Sequence, residues 1–185
     1  MRSVLNFLTL ASMAATEATA GEEKPRVQVV TTIGDFTIEL YPDRAPISVA
    51  NFLRYVDEEF YHSTTFHRII NDFIIQGGGF TTDKTRKDTH DPIKNEADNG
   101  LKNVRGAVAM ARVKEVDSAT SQFFVNLSDN PSLDHSENDF GYAVFGHVVE
   151  GMESAVKISG VPTVKHGPHR DQPRVNVVLK RAVRV

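Results

Sequence analysis

Apolar and polar residues first fall into a regular order at Val27-Gln28-Val29-Val30-Thr31-Thr32 and again at Asp35-Phe36-Thr37-Ile38-Glu39-Leu40. Both runs are rich in β-branched residues and the second alternates apolar with polar, so two strands are predicted. Ile33-Gly34-Asp35 leaves a connection short enough for a hairpin. The period then changes. Pro46 suits the first turn of a helix, where its missing N–H does no harm, and Val49, Phe52, Leu53 and Val56 follow at helical spacing. A helix over about residues 46–58 is predicted, its exposed end carrying Asp57-Glu58-Glu59.

From residue 66 to residue 149 short apolar runs are separated by long polar stretches. The runs are Phe66–Ile70, Phe73–Gln76, Ala107–Ala111, Gln122–Leu127 and Tyr142–Val149. Short strands with irregular connections point to a barrel or sandwich rather than to alternating β/α units. Thr81–Gly100 is polar and poor in strand formers, hence a long loop of the kind that often carries function. A second short helix fits Gly151–Ile158, a loop through His166-Gly167-Pro168-His169 follows, and Val175–Val183 reads as a final strand. No internal repeat, heptad or low-complexity segment interrupts this order.

Composition narrows the function classes. The chain has 185 residues, room for one domain with a proper core, and its 40% hydrophobic and 24% charged residues are those of a soluble protein. A formal net charge of −3 gives no basic footprint for nucleic acid. There is no cysteine, which removes disulfides, thiolate nucleophiles and Cys-type zinc sites. With eleven phenylalanines and no tryptophan, the aromatic part of the core is largely Phe. Residues 1–20 read separately. Met1-Arg2, an apolar stretch from Val4 to Ala15 too short to span a bilayer, and Ala18-Thr19-Ala20 before Gly21 have the layout of a secretory signal. Asn6, Thr9 and Ser12 dilute it, and an N-terminal tail is the alternative. The organisation expected is a leader over 1–20 and one domain over 21–185, exported and periplasmic, with a cytoplasmic location if the leader reading fails.

The familiar catalytic kits are absent. The sequence contains no Gly-x-Ser-x-Gly elbow, no phosphate loop ending in Gly-Lys-Ser/Thr and no His-Glu-x-x-His, which disfavours a hydrolase. Gly77-Gly78-Gly79 reads as a bulge or close backbone approach, and the His166/His169 spacing is weak evidence for a metal. What stands out is Arg68 within an apolar strand. Simple alternation puts Phe66, Arg68 and Ile70 on one face, His67 and Ile69 on the other. Gln76 follows Phe73 closely, and Gln122 and Phe124 share a further strand face. An Arg and two Gln bordered by Phe describe an apolar pocket with a few polar groups, the usual form of a ligand site. A strand Arg that simply snorkels to water describes the same pattern.

Five segments carry a resemblance that separates these readings: Phe66-His67-Arg68-Ile69-Ile70, Phe73-Ile74-Ile75-Gln76-Gly77-Gly78, Ala109-Met110-Ala111-Arg112, Ser121-Gln122-Phe123-Phe124 and Phe140-Gly141-Tyr142-Ala143-Val144-Phe145-Gly146. In this order they resemble a cyclophilin, over about residue 26 to the C-terminus. Asn99-Gly100-Leu101-Lys102-Asn103 and Tyr142 are most similar to the bacterial branch, in which forms with a leading signal are periplasmic isomerases. The resemblance implies a mainly β fold, a closed eight-stranded antiparallel β-barrel capped by two α-helices. It also implies a groove on the outside of that barrel that catalyses cis/trans rotation of Xaa–Pro bonds in peptides and folding proteins.

Carried over by position, the implied catalytic residues are Arg68, Phe73 and Gln76, and the implied substrate contacts are Ile74, Ala111, Arg112, Gln122, Phe124, Leu133 and Tyr142. Arg68 would donate to the twisted imide, Gln76 would orient it, and Phe73, Phe124 and Leu133 would hold the proline ring. Gln122 and the backbone at Ala111 and Arg112 would hold the peptide main chain. No metal or cofactor is needed for such a step, and a monomer is expected. Arg112 stands where the family commonly has Asn. Ser132 stands where many members have Trp or another aromatic, so only weak binding of cyclosporin-type ligands is expected. The alternative is a barrel that binds proline peptides, or acts as a chaperone, without turnover.

Overall fold

The last strand of the chain closes the sheet by lying between the first and the third. In the computed structural model, which describes residues 24–166 and 169–185, the elements are β1 (Arg26–Thr31), β2 (Phe36–Leu40), α1 (Pro46–Asp57), β3 (Thr64–Ile70), β4 (Ile74–Thr81), β5 (Ala107–Met110), β6 (Phe123–Asn126), β7 (Val144–Glu150), α2 (Met152–Ser159), β8 (Thr163–His166), β9 (His169–Pro173) and β10 (Val178–Arg184). Eight strands form a closed barrel in the order β1-β10-β3-β4-β6-β5-β7-β2, with every pairing antiparallel. Closure leaves these strands no long free edge. The leader predicted over residues 1–20 lies outside the described residues.

Inward-facing positions of the strands fill the barrel, and the two helices complete that core. Val27, Val29, Phe36, Ile38, Ile75, Val108, Val125 and Phe145 form one buried cluster with Val49 and Phe52 of α1 and Ala155 and Ile158 of α2. Phe52 lies at the centre of an aromatic group, its ring centroid 5.3, 5.4 and 5.1 Å from those of Tyr61, Phe123 and Phe145. Rings this size bury large apolar areas and gain further from tilted contacts. Tyr61 is wholly buried, which pushes its phenol well above the ordinary range, so its O–H stays protonated and donates to Ser121 O at 2.8 Å.

Helix α1 starts at Pro46, but Ala45 before it supplies no side-chain cap. The cap comes from the long polar stretch instead. Glu96 accepts from Ile47 N at 3.0 Å, Ser48 N at 2.7 Å and Ser48 Oγ at 2.7 Å, a buried carboxylate on the helix N-terminus that satisfies otherwise orphaned donors. A 3₁₀ turn at Ala97–Asn99 follows it, and most of Thr81–Gly100 is irregular, as predicted.

The structure departs from the sequence pattern in three places. A two-stranded sheet, β8 with β9, occupies the region read as a loop through His166 and His169. The final strand begins at Val178, three residues later than the apolar pattern suggests, because Val175 lies in an exposed turn. Third, alternation fails at Arg68. Phe66 pairs with Gly77 and Arg68 with Gln76, so His67 is an extra residue opposite one step of β4. This bulge lets Phe66 face the interior while Arg68 faces out.

Candidate active site

Register places Arg68 at one end of a row that crosses five strands. Arg68 of β3 pairs with Gln76 of β4, Gln76 with Phe124 of β6, Phe124 with Ala109 of β5, and Ala109 with Val144 of β7. Paired residues share a face of the sheet, so the row runs along the outside of the barrel. There Ile74, Ala107, Ala109, Phe124 and Val144 form a second buried cluster, separate from the interior, with Ile70, Phe73, Leu101, Ala111, Leu133 and Tyr142 half-buried against it. Strands β4, β5, β6 and β7 are therefore apolar on both faces, which is why they read as unbroken apolar runs.

A chain of polar contacts borders this cluster. Arg68 Nη1 donates to Gln76 Oε1 at 3.3 Å, and Gln76 Nε2 donates to Gln122 Oε1 at 3.0 Å. Arg68 is exposed, so its remaining donors face solvent. Gln122 is fixed from behind. Tyr61 holds Ser121, Asn51 of α1 donates to Thr120 O at 2.7 Å, and Gln122 O accepts from Ala111 N at 3.0 Å. Gly79 makes the room this needs, since a methyl group there would come within 2.6 Å of the Gln122 side chain.

The apolar walls are anchored by three buried asparagines that residue pattern did not single out. Asn130 Nδ2 donates to Phe73 O at 3.1 Å and to Asn126 Oδ1 at 2.8 Å, Asn126 Nδ2 to Asn103 Oδ1 at 3.1 Å, and Asn103 Nδ2 to Leu133 O at 3.1 Å. One continuous network thus links the backbone of Phe73 to that of Leu133. A fully satisfied buried network of this kind rigidifies what it connects. The only sequence signal for it is the presence of Asn within or beside apolar runs. Leu133 ends a 3₁₀ turn over Pro131–Leu133, in which Ser132 is exposed. Its carbonyl accepts from Tyr142 N at 3.0 Å, and the Tyr142 ring meets Phe124 edge-on at 5.7 Å.

Of the residues singled out, Phe73, Ile74, Ala111, Phe124, Leu133 and Tyr142 lie in the outer cluster, and Arg68, Gln76 and Gln122 in the polar chain. Ile74 is buried and forms floor rather than surface. Phe66 is corrected: it belongs to the interior, not to the Arg68 face. Arg112 follows β5, with its guanidinium packed against the 139–142 segment. The side chains of His166 and His169 lie outside the described residues, and among the described residues no group of three acidic or histidine side chains could hold a metal ion.

The family profile described as cyclophilin type peptidyl-prolyl cis-trans isomerase/CLD matches residues 26–184. "Peptidyl-prolyl cis-trans isomerase A" of Dickeya dadantii is 49% identical over 182 residues, covering 98% of this chain and 95% of its own. "Peptidyl-prolyl cis-trans isomerase B" of Escherichia coli is 50% identical over 153 residues, covering 81% of this chain and 93% of its own. Among solved structures, a Cryptosporidium parvum cyclophilin-type isomerase determined in the presence of the dipeptide Ala-Pro has a TM-score of 0.74 and 29% identity, covering 85% of this chain and 97% of its own.

Proposed function

The chain belongs to the cyclophilin-type peptidyl-prolyl cis-trans isomerase family and is an isomerase of Xaa–Pro bonds, and we propose that Arg68 is the group that lowers its barrier. The observation that carries this is the exposed Arg68 guanidinium tethered to Gln76, in the same outward row as Phe124. A cation with free donors beside an apolar pocket is what the reaction requires.

The barrier arises from amide resonance and amounts to about 18–20 kcal/mol. Unaided rotation takes tens to hundreds of seconds. A turnover of roughly 10–10³ per second requires the site to remove about 4–7 kcal/mol. Twisting the C–N bond breaks the resonance and leaves a lone pair on a pyramidal proline nitrogen. A guanidinium N–H aimed there makes a hydrogen bond that the planar ground states cannot make, which is differential stabilisation of the transition state. No bond to the enzyme forms, and no proton leaves Arg68.

In this reading Phe73, Phe124 and Leu133 hold the proline ring above the Ile74 floor, with Tyr142 at the side. Gln76 keeps Arg68 pointed, and Gln122 with the backbone at Ala111 and Arg112 holds the peptide main chain while one side of the bond turns. The Ala-Pro dipeptide present with the Cryptosporidium relative supports a proline-containing peptide as the ligand. Exposed Ser132 offers no indole, so cyclosporin-type ligands are expected to bind weakly. The layout of residues 1–20 supports export to the periplasm as the domain 21–185, with cleavage after Ala20 as the expected result of mass spectrometry on the mature N-terminus.

The decisive variant is Arg68→Ala. We expect kcat/KM in a protease-coupled Xaa–Pro assay to fall on the order of 10²-fold or more, with the unfolding midpoint unchanged. Arg68→Lys recovers little, since an ammonium lacks the planar fork that holds Gln76 and the imide together. Full activity in Arg68→Ala removes the assignment.

A further inference from the structure

We propose that the Arg112 guanidinium is a positioning clasp for the groove, tying the strand end that carries Ala111 to the loop that carries Leu133 and Tyr142, and that it sets peptide affinity rather than the rate of the twist. The inference rests on the groove reading above and assigns to the side chain a task separate from the backbone contact.

Arg112 is placed as a structural cation rather than a surface one. Its side chain is 8% exposed. Nε donates to Gly141 O at 2.9 Å, Nη1 to Val113 O at 3.1 Å and Lys114 O at 3.3 Å, and Nη2 to Asp139 Oδ1 at 2.8 Å. The plane of the group also lies over the Tyr142 ring, 4.8 Å from Cζ to the centroid. Each donor serves a different anchor, which only a rigid planar fork can do at once. A cation set on a ring face gains further when largely out of water.

Two of these contacts, those of Nε and Nη2, converge on one turn. Asp139 Oδ1 accepts from Gly141 N at 2.9 Å as well as from Arg112, and Gly141 O accepts from Asn95 Nδ2 at 3.0 Å as well as from Arg112. Gly141 has φ of +78°, and a Cβ there would lie 2.5 Å from His135 N, so the turn admits glycine and little else. The next residue is Tyr142, whose N–H reaches Leu133 O and whose ring abuts Phe124. Arg112, Tyr142 and Phe124 are thus consecutive in contact, from the clasp to the apolar side of the pocket.

The side-chain relay that orients Arg68 runs instead through Gln76 and Gln122. Its link to the clasped strand end is the backbone bond from Ala111 N to Gln122 O, while Tyr61 and Asn51 hold the same segment from the barrel side. Loosening the clasp therefore leaves the donor to the imide in place while widening one wall. A wall that binds ground and transition states alike acts on KM and leaves kcat alone.

The test is steady-state isomerisation of an Xaa–Pro peptide over a range of concentrations, with thermal unfolding, for Arg112→Gln, Arg112→Lys, Asp139→Asn and the double variant R112Q/D139N, beside Arg68→Ala. Arg112→Gln should raise KM by about tenfold with kcat within about twofold, and Arg112→Lys should not restore it. Asp139→Asn, at an exposed position, should raise KM by about threefold without shifting the unfolding midpoint, and the double variant should be no worse than Arg112→Gln. If Arg112→Gln does not fold, the rise in KM of well-folded Asp139→Asn carries the test alone. An unchanged KM in folded Arg112→Gln or in Asp139→Asn, a loss confined to kcat, or full restoration by Lys overturns the clasp. If Arg68→Ala keeps its kcat while Arg112→Gln still raises KM, the clasp stands and the role given to Arg68 falls.

Discussion

Phe123 and Phe124 are chain neighbours, both almost wholly out of water, and they belong to different apolar clusters on opposite faces of β6. Phe123 points into the barrel and meets Phe52, Tyr61 and Phe66 edge to face at 5.4, 5.5 and 6.1 Å. Phe124 points out and joins Ile74, Val144 and the half-buried Phe73, Leu133 and Tyr142. The inner ring is enclosed by strands and a helix. The outer one is covered by a turn and by side chains that are themselves partly open. Burial is equal, so burial does not separate core from site. What covers the residue does.

Four variants sharpen or break that contrast. The largest effect is expected from Phe123→Ala, which leaves a cavity no element can close and should cost about 3–5 kcal/mol of stability by denaturant titration. A cost below about 1 kcal/mol would mean the interior relaxes as freely as the surface cluster. Phe124→Ala should raise KM by about tenfold and cost less stability than Phe123→Ala, because the 130–142 segment can settle onto the gap. Equal stability losses in the two variants, with KM unchanged in the second, would erase the distinction.

Glu96→Gln tests whether a remote contact can serve the interior alone. It removes the negative charge from the start of α1 and should cost about 1 kcal/mol, loosen amide protection at Ile47 and Ser48, and leave kcat/KM as it was. The smallest effect belongs to Asp57. Arg184 hydrogen-bonds it at 2.7 Å and holds its carboxyl below the ordinary carboxylate value. A lowered folded pKa gives stability that is present above the unfolded value and lost as pH falls through the folded one. At neutral pH the exposed pair should contribute a few tenths of a kcal/mol, and urea midpoints of wild type and Asp57→Asn should converge in acid below that range.

The eight barrel strands and both helices are legible because their apolar periods are local. Phe66 was misplaced for the complementary reason: a bulge is a property of two strands, and nothing in Phe66-His67-Arg68 alone announces that His67 is surplus. The β8–β9 pair has no such signal, because its residues are mostly polar and show no apolar alternation. Glu96 and Arg112 look like ordinary surface charges in sequence. Their partners lie 48 and 29 residues away, at Ser48 and Gly141, and a charge has no periodicity to betray a distant partner. The groove residues stood out through the ordered resemblance, whereas the asparagines that brace them had only their identity to offer.

The position of β10 has a consequence for how the protein is made. Arg26–Thr31 and Thr64–Ile70 do not pair with each other; Val178–Arg184 fills the gap between them. During synthesis, both flanking strands must wait, edges bare, until nearly the whole barrel has left the ribosome. Loop-closure entropy makes such a last-joined seam slow to form, and bare edges invite pairing with other chains. An isomerase of Xaa–Pro bonds thus carries, in its own topology, a slow step of a different kind.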